Sequence, residues 1–226
     1  MYKLLSYPIT ASMPTWPCNP QLKIEKHAQI AKGDVCNTAM ISVFGHTGTH
    51  YDAPNHFVAD GLQIASLPLE RFIFEKPLLL DIPKDSCQKI TASDLQNYAD
   101  KISKCDLLML RTGFSKYRKQ DTKKFEECGP AIGSDCSSYL VNNFKNLQAL
   151  AVDFVSIASY SDQVDGNLTH RILLGGMDCA NDHFICAIED VNLSDINPEN
   201  LKRVMCFPLM VEGVDSSPVT IVAEII

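Results

Sequence analysis

Seven short apolar runs constrain this chain more than any other feature in it. They fall at residues 40–44, 77–82, 106–111, 149–155, 184–188, 204–211 and 219–226, each bounded by proline, glycine or charged side chains. None is long enough to persist in water as an isolated helix, so they read as strands. Helical signals lie between them. Thr91-Ala92-Ser93-Asp94 has the spacing of a capping box ahead of residues 95–102. Residues 134–147 place Tyr139, Leu140, Phe144 and Leu147 at helical spacing, and Asn167 can cap a short helix over 168–174 that stops at Gly175-Gly176. Strands outnumber helices and the connections vary in length, which predicts an α/β fold with a mixed sheet. The opening, residues 5–20, carries Pro8, Pro14, Pro17, Pro20 and Trp16 and should be extended and irregular. With no repeat, low-complexity segment or Gly/Ser linker, residues 1–226 read as one domain.

Composition removes several functional classes. The formal net charge of -7 sets aside a nucleic-acid partner, because phosphate binding needs a surplus of Lys and Arg. The one basic run, 116–124, is followed by Glu126 and Glu127 and reads as a solvated segment. Nine cysteines are present without any C-x-x-C pair, which fits neither a zinc ribbon nor a thioredoxin-type site. Cys105 and Cys186 sit in apolar surroundings, where a free thiol behaves as a small hydrophobe, so reduced cysteines in a cytosolic protein are the expectation. The N-terminus lacks a signal-peptide core, and no apolar stretch approaches the roughly 20 residues of a membrane helix. A soluble, cytoplasmic protein without a membrane partner is expected.

The densest chemistry lies between residues 46 and 56. Of six histidines, three fall here (His46, His50, His56), with Asp52 among them. On an extended chain His46, Gly48, His50 and Asp52 point to one face, while Thr47, Thr49 and Tyr51 point to the other. Glycine between two histidines leaves space for an ion or substrate, and Pro54 turns the chain so that His56 can return to the same spot. Two imidazoles and a carboxylate converging in this way suit Zn²⁺, Mn²⁺ or Fe²⁺. The helical H-E-x-x-H alternative fails: Thr47 replaces the glutamate, and a glycine with two threonines makes a poor helix.

These residues, His46-x-Gly48-Thr49-His50-x-Asp52-x-Pro54-x-His56, resemble the H-x-G-T-H-x-D-x-P-x-H signature of the cyclase family of metal-dependent hydrolases. That family includes kynurenine formamidases and isatin hydrolases. The similarity extends to Leu5-Ser6-Tyr7-Pro8, Met13-Pro14-Thr15-Trp16-Pro17, Arg111-Thr112-Gly113, Ala151-Val152-Asp153-Phe154-Val155-Ser156, His170-Arg171-Ile172-Leu173-Leu174 and Ile188-Glu189-Asp190. The resemblance implies a swivelling β/β/α fold with a centre of one or two divalent ions, Zn²⁺ favoured and Mn²⁺ the alternative. His46, His50 and Asp52 would hold one ion, and Asp52 would bridge to a second held by His170 and Glu189. His56 would be the catalytic acid/base.

Two departures from the family pattern stand out. Glu189 lies nineteen residues after His170, farther than the family spacing, so Asp182 and His183 compete for the distal role. Glu189 is favoured because apolar 184–188 leads into it. Pro218-Val219-Thr220 stands where the family commonly has Pro-x-Arg, so an expected positive charge is absent. Ser156 and Ser159 show no triad partner in sequence, and His27 reads as a surface residue. Trp16 and Phe57 are candidate walls for an aromatic small-molecule substrate. The implied activity is hydrolysis of a small amide, arylformamidase-like. The alternatives are a lactone- or isatin-type ring opening and a non-enzymatic metal- or ligand-binding protein. The family tendency implies a homo-oligomer.

Overall fold

The computed structural model describes residues 1–177 and 183–226. Its centre is a mixed sheet of nine strands that curls toward closure, with Tyr2–Leu4 paired to Ser216–Ile225 beside the main path. Along that path the order is Ile73–Phe74, Leu201–Pro208, Ser216–Ile225, His50–Asp52, Cys186–Glu189, Ala149–Val152, Leu107–Arg111 and Pro77–Asp81. The last four strands run parallel to one another, and the remaining pairings are antiparallel. The fold is thus the expected α/β type with a mixed sheet.

The parallel strands explain why the apolar runs are continuous rather than alternating. A strand covered on both faces must be apolar at every position. Leu107 and Met109 pack into one core with Tyr51, Phe72, Phe74, Ile188 and Ile221. Leu108 and Leu110 pack into a second core, against Leu140 and Val141 of the helix Ser134–Asn143 and Ile172 and Leu173 of the helix Gln163–Leu173. The site occupies the second face: Tyr51 and Ile188 point into the first core, so His50, Asp52 and Glu189 must point toward the helices.

Several local expectations shift. The helix bearing His170 starts at Gln163, five residues early, because Asp162 rather than Asn167 supplies the cap, accepting from the Asp165 N–H. The Thr91 capping box is present, but residues 92–102 form short helical turns instead of one helix. The run at 40–44 belongs to a two-stranded hairpin, Lys23–Ala28 with Thr38–Ser42, outside the main sheet. His27 sits on this exposed hairpin, as expected. Among the described residues, no helix is long and apolar enough to cross a membrane.

Candidate metal centre

Only His50–Asp52 of the histidine-rich segment is a strand. His46 reaches the site through a turn rather than along an extended face, and Gly48 has a φ of 62°. The glycine therefore serves the backbone and not an open space: a Cβ there would lie 2.1 Å from Cε of Met13. The sequence expectation of room above Gly48 is corrected, since Met13 fills it.

Strand pairing assembles the rest. In the antiparallel ladder Glu189 lies opposite His50, and Ala187 lies opposite Asp52, so the two acidic side chains share a face. His170 descends onto that face from the helix Gln163–Leu173. Its approach depends on Gly166, where a Cβ would come within 2.7 Å of the Ala158 Cβ. The resulting cluster is tight. His50 Nε2 is 3.5 Å from Asp52 Oδ1 and 3.3 Å from Glu189 Oε2. His170 Nε2 is 3.5 Å from Glu189 Oε1 and 3.9 Å from Asp52 Oδ2. His46 Nδ1 is 3.0 Å from Asp52 Oδ1.

The donor set fits a divalent ion. His50 donates its Nδ1–H to the Gly48 carbonyl (2.7 Å), and His170 donates its own to the Gly166 carbonyl (3.0 Å). Each bond fixes the tautomer that leaves the Nε2 lone pair facing the carboxylates. His50 Nε2 and both Asp52 oxygens are buried without a hydrogen-bond partner of acceptable geometry. A buried carboxylate without such partners is costly unless a cation or proton compensates it. Among the described residues, His46, His50 and Asp52 form one group able to hold an ion, Asp52, His56 and His170 a second, and His46, His56 and Asp215 a third. Imidazole and carboxylate donors suit Zn²⁺ or Mn²⁺ chemistry.

Without an ion, protons supply the missing charge. Burial disfavours the His46 imidazolium, but the Asp52 charge and a hydrogen bond to Asp215 outweigh it and raise the pKa to about 10. His50 is also raised: burial opposes its charge, and Asp52 and Glu189 overcome that opposition. Glu189 is held well below the usual carboxylate range, with burial offset by His170 and His50.

Asp215, Ser156, Asp190 and Asp153, to which the sequence assigned no role, complete the surroundings. Asp215 accepts from His56 Nδ1 at 2.7 Å and from His46 Nε2 at 3.0 Å through the same oxygen. The only pointer to it was its place beside the Pro218 segment. Ser156, dismissed for lacking a triad, donates to Glu189 Oε1 at 2.9 Å, and the Ile157 N–H donates to the same oxygen at 2.7 Å. Asp190 is buried beside Glu189 and takes a bidentate ion pair from Arg118. Asp153 accepts from Thr112 N–H, Thr112 Oγ1 and Gly113 N–H, which explains why the Arg111-Thr112-Gly113 and Ala151–Ser156 segments occur together.

The cluster forms the floor of a cavity of about 420 Å³. Trp16, Phe44 and Phe57 line it, as do His46, His50, His56, His170 and Glu189. Phe57 stacks on His170 at 4.7 Å between ring centroids. Trp16 and Phe57 thus stand where the sequence expectation put them. His183 lies apart from the cavity, in the field of Lys145 and Arg71. Asp182, the rival to Glu189, lies outside the described residues.

The family model Cyclase ("Putative cyclase") matches residues 4–159, more than half of the chain. Cyclase-like protein 2 of Arabidopsis thaliana is 26% identical over 222 residues, covering 95% of this chain and 76% of that protein. Isatin hydrolase A from Labrenzia aggregata, solved bound to benzyl benzoate, superposes with a TM-score of 0.82 at 17% identity, covering 99% and 93% of the two chains. A potential metal-dependent hydrolase with cyclase activity superposes with a TM-score of 0.75 at 22% identity, covering 99% and 96%. A motif, a buried cluster of histidine and carboxylate side chains and a fold all point the same way: the chain belongs to the Cyclase family.

Proposed function

We propose that this protein is a divalent-metal-dependent hydrolase of a small amide, with His46, His50, Asp52, His170 and Glu189 as the ligand set and His56 as the acid/base. The observation that carries the reading is the buried cluster in which His50 Nε2 and both Asp52 oxygens lack hydrogen-bond partners, at the floor of an aromatic-walled cavity. When bound there, a divalent ion supplies Lewis-acid polarisation of a carbonyl and water of lowered pKa.

The chain's own groups supply the remainder. The Gly48 and Gly166 carbonyls hold His50 and His170 in the ligating tautomer. Ser156 and the Ile157 N–H fix Glu189, whose other oxygen lies toward His50. Asp215 engages Nδ1 of His56 and so leaves Nε2 as the nitrogen that takes a proton from water and returns it to the leaving amine. Trp16, Phe44 and Phe57 line the cavity with apolar rings that would exclude water and suit an aromatic substrate.

An arylformamidase-like activity, hydrolysis of N-formylkynurenine, is the first specific reading. An isatin-type ring opening is the second, supported by the fold likeness to isatin hydrolase and by Thr220 in place of the family's arginine. Assays of the metal-loaded protein on N-formylkynurenine, isatin and small lactones separate them. Turnover of one that vanishes in Asp52→Asn supports hydrolysis. A protein that holds its ion but hydrolyses none above the Asp52→Asn background leaves only the metal-binding reading.

A further inference from the structure

Two of the nine cysteines, 41 positions apart in sequence, meet at the surface far from any recognisable motif. Cys87 sits in a tight turn closed by Asp85 and Gln88, whose side chain and backbone bond to one another. Cys128 ends the helix Thr122–Glu127, its N–H donating to the Lys124 carbonyl. The Cys87 N–H donates to the Cys128 carbonyl at 2.9 Å. From this bond onward the two segments zip together: Ala131 N–H donates to the Gln88 carbonyl, and Lys89–Ile90 pairs with Ala131–Ile132.

A backbone bond of that length brings two Cα atoms to a separation of about 5–6 Å, inside the span of a disulfide. The two side chains are also close enough to interact. Cys128 is raised above its ordinary value by burial, then by the charge of Cys87 and a side-chain hydrogen bond with it. Both sulfurs are free, Cys87 exposed and Cys128 half-buried, so an oxidant reaches the first while the second waits behind it.

We propose that Cys87 and Cys128 form an oxidation site that closes into an intramolecular disulfide under peroxide and reopens with a small dithiol. The Cys87 thiolate attacks one peroxide oxygen, the O–O bond breaks, and hydroxide leaves from a sulfenic acid. The Cys128 thiolate then attacks the Cys87 sulfur, the S–S bond forms, and a second hydroxide leaves. The protons released by the thiols convert both hydroxides to water. The net change is two thiols and one peroxide to one disulfide and two waters, and a dithiol reverses it by becoming a disulfide itself.

The bond would tie the turn at 85–88 to the helix that supports one wall of the cavity. Phe125 of that helix packs in a cluster with Phe114, Val155 and Trp16, and Glu126 Oε1 accepts from the Thr15 N–H. Thr15 and Trp16 both line the cavity. Oxidation at 87/128 therefore stiffens the support of the Thr15–Trp16 wall.

The test treats the full-length metal-loaded chain with hydrogen peroxide, alkylates it, digests it and maps thiols by mass spectrometry. The expected result is one peptide pair joined through Cys87 and Cys128, lighter by two hydrogens and fully alkylated after dithiothreitol. Cys18 and Cys36, also exposed, serve as internal controls and stay out of the link. Trp16 is the only tryptophan, so acrylamide quenching reads the wall directly and should fall on oxidation of the parent but not of Cys87→Ser. Cys128→Ala is the reciprocal variant. Should its half-buried position prevent folding, the exposed Cys87→Ser decides alone, by losing the link and leaving Cys128 alkylatable. A Cys87 oxidised alone beside a free Cys128, or a link to any other cysteine, overturns the proposal. Unchanged Trp16 quenching in a linked protein overturns the coupling to the wall.

Discussion

At the residue scale, the clearest division is between side chains that hold the site and those that move protons in it. The Asp215 carboxylate bonds His46 and His56 and lies half-exposed at the cavity rim. Asp215→Asn should lower kcat by roughly 10²–10⁴, the usual range for losing a positioned acid/base, while ion affinity falls by no more than about 10–100-fold through the lost bond to His46. Metal content and kcat measured on one preparation check this, and loss of the ion would show that Asp215 is instead structural. Arg118 and Asp190 behave differently. Both are buried and bonded to each other, and Arg118 lies over the Tyr7 ring at 3.8 Å. Removing one partner strands the other charge, so Arg118→Met should cost about 3–5 kcal/mol in urea unfolding. A cost under 1 kcal/mol would mean that water reaches Asp190. At this scale the sequence was readable where chemistry is local. His46, His50, Asp52 and His56 announce themselves within eleven positions. Asp215 and Ser156 do not, because their roles exist only after distant strands pair.

At the scale of elements, two small residues set the precision of the site, and one cap away from it stabilises the fold. Gly166 lets the helix Gln163–Leu173 lie against Ala158. Alanine is intrinsically favoured in a helix by about 1 kcal/mol, yet here its Cβ would meet backbone and Cβ atoms of the neighbouring loop. Gly166→Ala should push His170 outward and weaken ion affinity by roughly 10-fold or more, as loss of supporting interactions commonly does. Isothermal titration with Zn²⁺ would show it, and an unchanged affinity would mean that the loop simply yields. The capping box at Thr91 carries a pH signature. Burial opposes the Asp94 charge, but the Thr91 N–H and the Lys84 ammonium overcome it and lower its pKa. A depressed carboxylate stabilises the fold above its unfolded pKa of about 3.9 and loses that contribution as pH falls through the lower folded value. Asp94→Ala should thus cost about 1 kcal/mol near neutrality, with the difference from the parent shrinking as pH falls below the unfolded pKa and through the lower folded one. A difference that persists in acid would assign it to packing. The element boundaries were legible where apolar runs end abruptly, as at Leu107–Arg111. They were misread at 163–167 because polar residues with Gly166 hide a helix whose buried face is small.

At the scale of the whole molecule, the sheet is what brings the proposed ligand set together. The strand His50–Asp52 is flanked by Ser216–Ile225 and Cys186–Glu189, so residues about 140 and 165 positions later in the chain close around it. Sequence alone predicted the mixed sheet but not this strand order, since pairing partners are set by which faces bury best together. A site built from opposing buried charges should also couple ion binding to folding. At an ion concentration 100-fold above Kd, stability should rise by about 2.7 kcal/mol. The most direct measurement of the central claim is a Zn²⁺ titration of metal-stripped protein, comparing the parent with Asp52→Asn and Glu189→Gln, each verified as folded. The account predicts saturable binding by the parent and at least about 10-fold weaker binding by both variants. A parent that binds no ion, or an Asp52→Asn variant that binds as tightly as the parent, would contradict it.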